Sequence, residues 1–265
     1  MNSLGGDNFW LLHEPGGGVF GIDACGGAAY KADVNFYSSK GYKQIPSRGP
    51  LSALTCAGAV SGWSEALKIS QKKWGGKMDL PRLLEDAIFY AKDGISITKT
   101  QAQNCRQKYS ELKNSPGFLD TFLINGEMPE EGQRFCQDRL ARTLKKLGEN
   151  GLDDFYRGEL SRSIAADLDR VGSPLGHDDL NCFNAMIVDP ISLNVGGHKV
   201  YNMPPPTQGL ASLILLGTNS RLGSVKPETF QFIHNLVEST KLAFKVRDKY
   251  ISDPEYMSVD PMSFL

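Results

Sequence analysis

An α+β fold is predicted by the order in which the signals succeed one another: strands, a long helical middle, strands again, then helices. Two observations carry this. Short apolar runs broken by Gly and Pro recur near both ends, and apolar residues at three- and four-residue spacing fill the middle. No internal repeat, low-complexity tract or linker interrupts the pattern, so residues 1–265 read as one domain.

The first element is a hairpin. "NFWLLHEPGGGVFGID" sets two short strand-forming runs about a Pro-Gly-Gly-Gly break. Helical spacing follows from Ala57 to Trp74 through Val60, Trp63, Ala66, Leu67 and Ser70. The next helix has Asp79 as its cap, Pro81 in its first turn and Gly94 at its end, with Leu83, Leu84, Ala87, Ile88 and Ala91 as its buried face. "RFCQDRLARTLKKLGENG" and "LDDFYRGELSRSIAADLDRVG" each read as one amphipathic helix with charges on the outer face. "FNAMIVDPISL" and "GHKVYNM" read as strands broken at Asp189-Pro190 and Gly196-Gly197. Three prolines, Pro204 to Pro206, fix φ and withhold N–H donors, ending the last strand and setting the start of an apolar helix. A long helix closes the pattern, with Phe230, Ile233, Val237 and Phe244 along its apolar stripe.

Charge and composition exclude several classes of function. The 29 Lys and Arg against 30 Asp and Glu are spread without a basic, aromatic-bearing window, so nucleic acid is not an expected partner. The longest apolar stretch, "GLASLILLG", is far short of the roughly 20 residues that span a bilayer, so no membrane partner is expected either. "MNSLGGDNFWLL" shows no signal peptide, which makes the cytoplasm the expected compartment. Five scattered cysteines with no zinc spacing predict reduced thiols and no metal, and no cofactor is expected.

Residue chemistry alone assembles no active site. The four histidines stand in unrelated contexts, and there is no G-x-S-x-G elbow, P-loop or dinucleotide fingerprint. Adjacent acidic pairs diverge on any regular element, so Asp178 or Asp179 reads as the cap of a short helix in "GHDDLNCF". Thr207 lies near a helix start but lacks a free amine.

Five segments, in order along the chain, resemble the large-subunit region of the γ-glutamyltranspeptidase family of N-terminal nucleophile hydrolases. They are "LGGDNFWLL", "GPLSALTCAGAVSGWSEAL", "LARTLKKLGENGLDDFYRGELSRSIAADL", "VYNMPPPTQGLASL" and "ESTKLAFKVRDKYISDPEY". Ala57 stands where the family usually has proline, and Val246-Arg247-Asp248 departs slightly from the family's local order.

The resemblance implies an αββα sandwich, of which this chain is the large-subunit portion, incomplete at both ends. It also implies a partner, a small subunit whose N-terminal threonine attacks the acyl carbonyl of a small-molecule amide while its own α-amine acts as base. No catalytic residue is therefore expected within the chain.

In glutamyl-specific members an Arg-Glu pair follows the hairpin, and the arginine holds the donor's α-carboxylate. Cys25 and Gly26 stand there instead. A divergent branch that includes oxamate amidohydrolase has an arginine at the position of Gly27, and "QIPSRGPLSALT" is similar to that branch. The substrate-binding candidates are thus Cys25, Gly26 and Gly27 in the loop, with Arg48 either a remaining anion contact or a structural hydrogen-bonder at a turn. Two readings follow: a γ-glutamyltransferase-like amidohydrolase or acyltransferase, or a catalytically inactive remnant that keeps the fold for binding.

Overall fold

The computed structural model describes residues 4–265 and divides the chain into two compact units. One comprises Ala24–Asn184 together with the segment up to Asp7, and the other comprises Asn8–Asp23 with Ala185–Leu265. No composition shift marks this division, because one unit is assembled from two stretches distant in sequence. The expected α+β order of elements is present.

The predicted hairpin is formed by β1 (Asn8–His13) and β2 (Val19–Ala24). Its turn closes through Gly17 N–H to the Glu14 carbonyl at 2.8 Å and Glu14 N–H to the Gly18 carbonyl at 3.1 Å.

The first unit is predominantly helical. After α1 (Val34–Ser38), α2 (Ala59–Trp74) ends on Gly75 in the left-handed conformation. Asp79 caps α3 (Leu80–Asp93) as expected, its Oδ1 accepting from the Arg82 N–H at 2.9 Å. The predicted buried face of this helix needs correction. Leu84 and Ala91 are buried and Ile88 is half-buried, but Ala87 is exposed and Leu83 is 47% exposed. Spacing of four and three residues from Leu84 defines the packed stripe, and Leu83 lies about 100° from Leu84 around the axis.

Two short strands, β3 (Ile95–Ser96) and β4 (Arg134–Phe135), pair antiparallel and enclose α4 (Lys99–Leu112) and α5 (Phe118–Phe122). The segment beginning "RFC" was expected to be helical throughout, yet α6 starts only at Asp138 and runs to Asn150. Arg134 and Phe135 pair as a strand, and two residues carry no apolar period by which to recognise it.

The following segment is likewise two helices, α7 (Asp154–Arg157) and α8 (Glu159–Arg170), rather than one. The break falls at Gly158, where the Asp154 carboxylate accepts from the Glu159 N–H at 2.7 Å and restarts the helix. After α9 (His177–Cys182) the unit ends. Its core joins Val60, Leu84, Leu144, Leu147, Phe155, Tyr156 and Leu180.

In the second unit β5 (Met186–Val188) lies antiparallel to β2, with Ile22 opposite Ile187, giving the strand order β1-β2-β5. A separate hairpin pairs β6 (Ile191–Val195) with β7 (His198–Asn202), broken at the glycines the sequence marks. Thr207 then bridges the proline corner to α10 (Gly209–Arg221). Its hydroxyl faces the Met203 and Pro204 carbonyls at 3.0 Å each and accepts from the Gly209 N–H at 3.1 Å.

The core of this unit joins Ile191, Leu210, Leu213, Ile214 and Ala243. The final helix, α11 (Phe230–Tyr250), begins after Thr229, whose Oγ1 accepts from the Phe232 N–H at 3.3 Å. Its buried residues are Asn235, Ser239 and Ala243, whereas Phe230, Ile233, Val237 and Phe244 face outward. No helix among the described residues is long and apolar enough to cross a membrane.

Candidate functional site

The loop that follows β2 is held from several directions. At its start the Gly26 N–H donates to Asp7 Oδ1 at 3.1 Å, and Cys25 Sγ lies 3.9 Å from Asp7 Oδ2. In its middle Ala28 bridges Thr55 antiparallel, with Cys56 N–H donating to the Gly27 carbonyl at 3.0 Å and Ala29 N–H to the Leu54 carbonyl at 2.7 Å. At its end the Tyr30 N–H donates to Asp179 Oδ1 at 2.9 Å.

Asp179 Oδ2 accepts from the Gly176 N–H at 2.8 Å, so the expected helix-capping role is present for Asp179. The same carboxylate ties α9 to the loop. That second role joins residues 149 positions apart, and no local pattern announces it.

Two adjacent glycines in this loop have opposite surroundings. A Cβ on Gly26 would lie 1.6 Å from the Cys56 carbonyl oxygen, so the backbones of the two segments approach too closely for any side chain. Gly27 has nothing within 4 Å of that position and is exposed. Position 26 is therefore closed by packing, and position 27 is open.

The segment opposite the loop is anchored through the start of α2. Gly58, the residue before the helix, has no side chain to act as a cap, and a Cβ there would lie 1.8 Å from the Ala24 carbonyl oxygen. The N–H groups left over at a helix start need acceptors, and here they find distant ones. Gly58 N–H and Ala59 N–H donate to the Gly6 carbonyl at 3.0 and 2.8 Å. Ser61 N–H donates to the Tyr156 hydroxyl at 2.9 Å, and that hydroxyl donates in turn to the Ala57 carbonyl at 2.7 Å. Burial pushes the Tyr156 phenol upward, so it keeps the proton that this bridge requires.

Cys56 lies at the centre of the arrangement and is buried. Burial, then the nearby negative charge of Asp179, raises its thiol from an ordinary 9.0 to about 12. A thiol so disposed stays protonated at neutral pH and is no nucleophile. The loop therefore presents a side-chain-poor rim flanked by the Asp7 and Asp179 carboxylates, next to a buried, protonated thiol.

Cys25, Gly26 and Gly27 are brought together with Asp7 and Cys56. Arg48 is placed in the exposed segment before α2, where its Nε lies 3.4 Å from Glu111 Oε2 on α4, and Lys108 Nζ holds the other oxygen at 2.9 Å. These two cations hold the Glu111 carboxyl below its ordinary range, the Lys108 hydrogen bond contributing most.

Among the described residues no three His, Cys, Asp or Glu side chains converge as a metal site would require. Residue chemistry did not single out Asp7, Cys56 or Tyr156. The carboxylate directly after Gly5-Gly6 was the available signal for Asp7, whereas only the folded contacts identify the other two.

The family model for gamma-glutamyltranspeptidase matches residues 1–264. Oxamate amidohydrolase proenzyme of Klebsiella pneumoniae subsp. pneumoniae is 44% identical over 265 residues, which is 100% of this chain and 50% of that protein. A glutathione hydrolase-like proenzyme of Bacillus subtilis is 32% identical over 98% of this chain and 49% of its own length. Among solved structures, cephalosporin acylase from Bacillus halodurans superposes with a TM-score of 0.90 at 30% identity, covering 100% of this chain and 49% of that one. The chain spans about half the length of the curated relatives it matches. With a family model matched from end to end and the same fold in a solved relative, the chain belongs to the gamma-glutamyltranspeptidase family.

Proposed function

We propose that the chain is the large-subunit part of an amide-bond hydrolase or acyltransferase of αββα architecture, completed by a small subunit carrying an N-terminal threonine. The observation that carries this reading is the end-to-end family match to proenzymes about twice as long. The strand inventory supports it as well, since sheets of three, two and two strands among the described residues are few for two stacked layers. In this reading the threonine hydroxyl attacks the amide carbonyl and its own amine takes the proton, which passes to the leaving amine as the C–N bond breaks to leave an acyl-enzyme. Water or a second amine then releases the acyl group.

The substrate is a small γ-glutamyl-like or other anionic amide. Cys25, Gly26 and Gly27 form a rim for it, with position 27 open. Arg48 contacts the anion, and its exposed pairing with Glu111 leaves the guanidinium able to exchange one carboxylate for another.

Co-expression of the chain with the Thr-initiated small subunit, followed by assay of γ-glutamyl and oxamate-like amides, tests the reading. Turnover that disappears when the threonine is replaced is the expected result, and assembly without any turnover overturns it. Arg48→Ala is expected to raise KM for an anionic substrate several-fold at unchanged kcat; an unaltered KM removes Arg48 from binding. The second reading, an inactive remnant that binds without reacting, is favoured by one feature: the loop carries no guanidinium at Cys25, Gly26 or Gly27.

A further inference from the structure

Between the rim loop and Arg48 the first unit folds around an open pocket of about 530 Å³, whose lining includes Asp33, Val34, Tyr37, Tyr42, Lys43 and Ile45. Its floor is fixed by hydrogen bonds. Tyr37 is 6% exposed and donates its hydroxyl to the Leu51 carbonyl at 2.9 Å. Gly41 takes a left-handed φ of 81°, and the chain doubles back so that the Tyr42 N–H donates to the Tyr37 carbonyl at 3.0 Å. The Ala32 N–H donates to the Ala29 carbonyl at 2.9 Å, which joins the pocket wall to the end of the rim loop.

The walls expose apolar surface to solvent. Val34, Ile45 and Tyr42 are 82%, 49% and 42% exposed. Apolar and aromatic walls with a few polar groups, around a volume of roughly 300–1,000 Å³, are the ordinary make-up of a small-molecule site.

Charge narrows the ligand. From Tyr30 to Gly49 the chain carries Lys31, Lys40, Lys43 and Arg48 against one acid, Asp33. Arg48 pairs with Glu111, and Lys40 Nζ lies 4.8 Å from the centroid of the Phe36 ring. Lys43, in the pocket lining, forms no salt bridge among the described residues. The Asp33 carboxylate is engaged at the start of α1, where Oδ1 accepts from the Phe36 N–H at 2.7 Å.

We propose that this pocket binds a small aromatic carboxylate, with its ring on Tyr37 and Tyr42 beside Val34 and Ile45 and its carboxylate on Lys43. The proposal rests on the reading given under Proposed function, for which it names an aryl-bearing anionic amide as the substrate class. Tyrosine rings offer a second ring stacked or edge contacts, and a cation at the margin of an apolar wall completes the match to a carboxylate.

The binding probe is 3-phenylpropionate, titrated into the chain and followed by saturation-transfer NMR. Millimolar affinity is expected for a ligand of so few atoms. Replacing the probe by 3-phenylpropionamide, or Lys43→Gln in the protein, is expected to weaken binding about threefold. Tyr42→Ala is expected to weaken it about tenfold. Asp33→Asn keeps a side chain that caps the helix and is expected to tighten binding about threefold. All three side chains are exposed, so circular dichroism of the variants is expected to match the unaltered chain. Oxanilate holds a ring and a carboxylate at the same spacing as 3-phenylpropionate and serves as the turnover probe when the small subunit is co-expressed. A lower KM for oxanilate than for oxamate is expected, with the gap narrowed by Tyr42→Ala.

Absent binding of 3-phenylpropionate, or binding that none of the variants alters, overturns the proposal whatever the complex hydrolyses. Weaker binding by Asp33→Asn overturns it as well, since the pocket then takes a cation or a zwitterion. So does loss of binding when the small subunit is present, because that subunit then covers the pocket. Binding with the expected variant pattern but no turnover of either amide removes the amidohydrolase reading instead and leaves the pocket's ligand class standing.

Discussion

Alanine substitution at two neighbouring positions separates the account of the loop from any general sensitivity of glycines. At Gly26 the added Cβ would lie 1.6 Å from the Cys56 carbonyl oxygen, whereas ordinary contact begins near 3.4 Å. The two segments would have to part by about 1.8 Å, and overpacking of this kind costs about 1–3 kcal/mol. That movement also pulls on the Gly26 N–H bond to the Asp7 carboxylate, and losing such a charge-assisted bond costs about 1.5–3 kcal/mol. Together the expected loss for Gly26→Ala is roughly 2.5–6 kcal/mol.

Gly27→Ala meets nothing within 4 Å, and its backbone is outside the left-handed region, so no strain opposes it. Reduced freedom of the unfolded chain then makes it neutral or stabilising by about 0.4–1 kcal/mol. Urea titration followed by circular dichroism and tryptophan fluorescence measures both. A Gly26→Ala variant within about 0.5 kcal/mol of the unaltered chain, or a Gly27→Ala variant as damaged as Gly26→Ala, would refute the close-approach argument.

Two further outcomes follow from the buried groups around this loop. Tyr156→Phe removes the hydroxyl that joins Ala57 to Ser61, and a loss of about 1–3 kcal/mol is expected in the same titration; an unchanged midpoint would mean that the bridge is dispensable. The Cys56 thiol is held protonated in the folded state, with its pKa raised to about 12 from 9.0. Its contribution to stability is therefore full below pH 9 and declines as pH rises from 9 toward 12, because the unfolded thiol ionises first. Cys56→Ala is expected to flatten that decline, and an identical pH dependence in both proteins would contradict the assigned burial.

Much of the fold was legible in local patterns. The hairpin of β1 and β2, the Asp79 cap of α3, the breaks at Asp189-Pro190 and Gly196-Gly197 and the proline corner each depend on backbone geometry that a few adjacent residues dictate. The departures in the helical middle lie where a hydrogen bond, and not the apolar period, decided the outcome. β4 exists because Arg134 and Phe135 pair with Ser96 and Ile95, and α7 is separated from α8 where Asp154 folds back to cap Glu159. The loop residues Cys25, Gly26 and Gly27 were identified by family resemblance, but their differing tolerance for a side chain depends on Cys56, which lies about thirty positions away.

The sequence by itself determined most of the element types, the proline-bounded corner and the family, since these reside in short motifs kept in order along the chain. Tertiary structure alone decided which side of α11 faces inward. In α11 the apolar period was plain, yet periodicity specifies a stripe and not what that stripe meets. Close packing on the Asn235, Ser239 and Ala243 side turned the large residues outward. Only the folded chain likewise closed position 26 and left position 27 open, because a close backbone approach is a property of two segments and is written in neither.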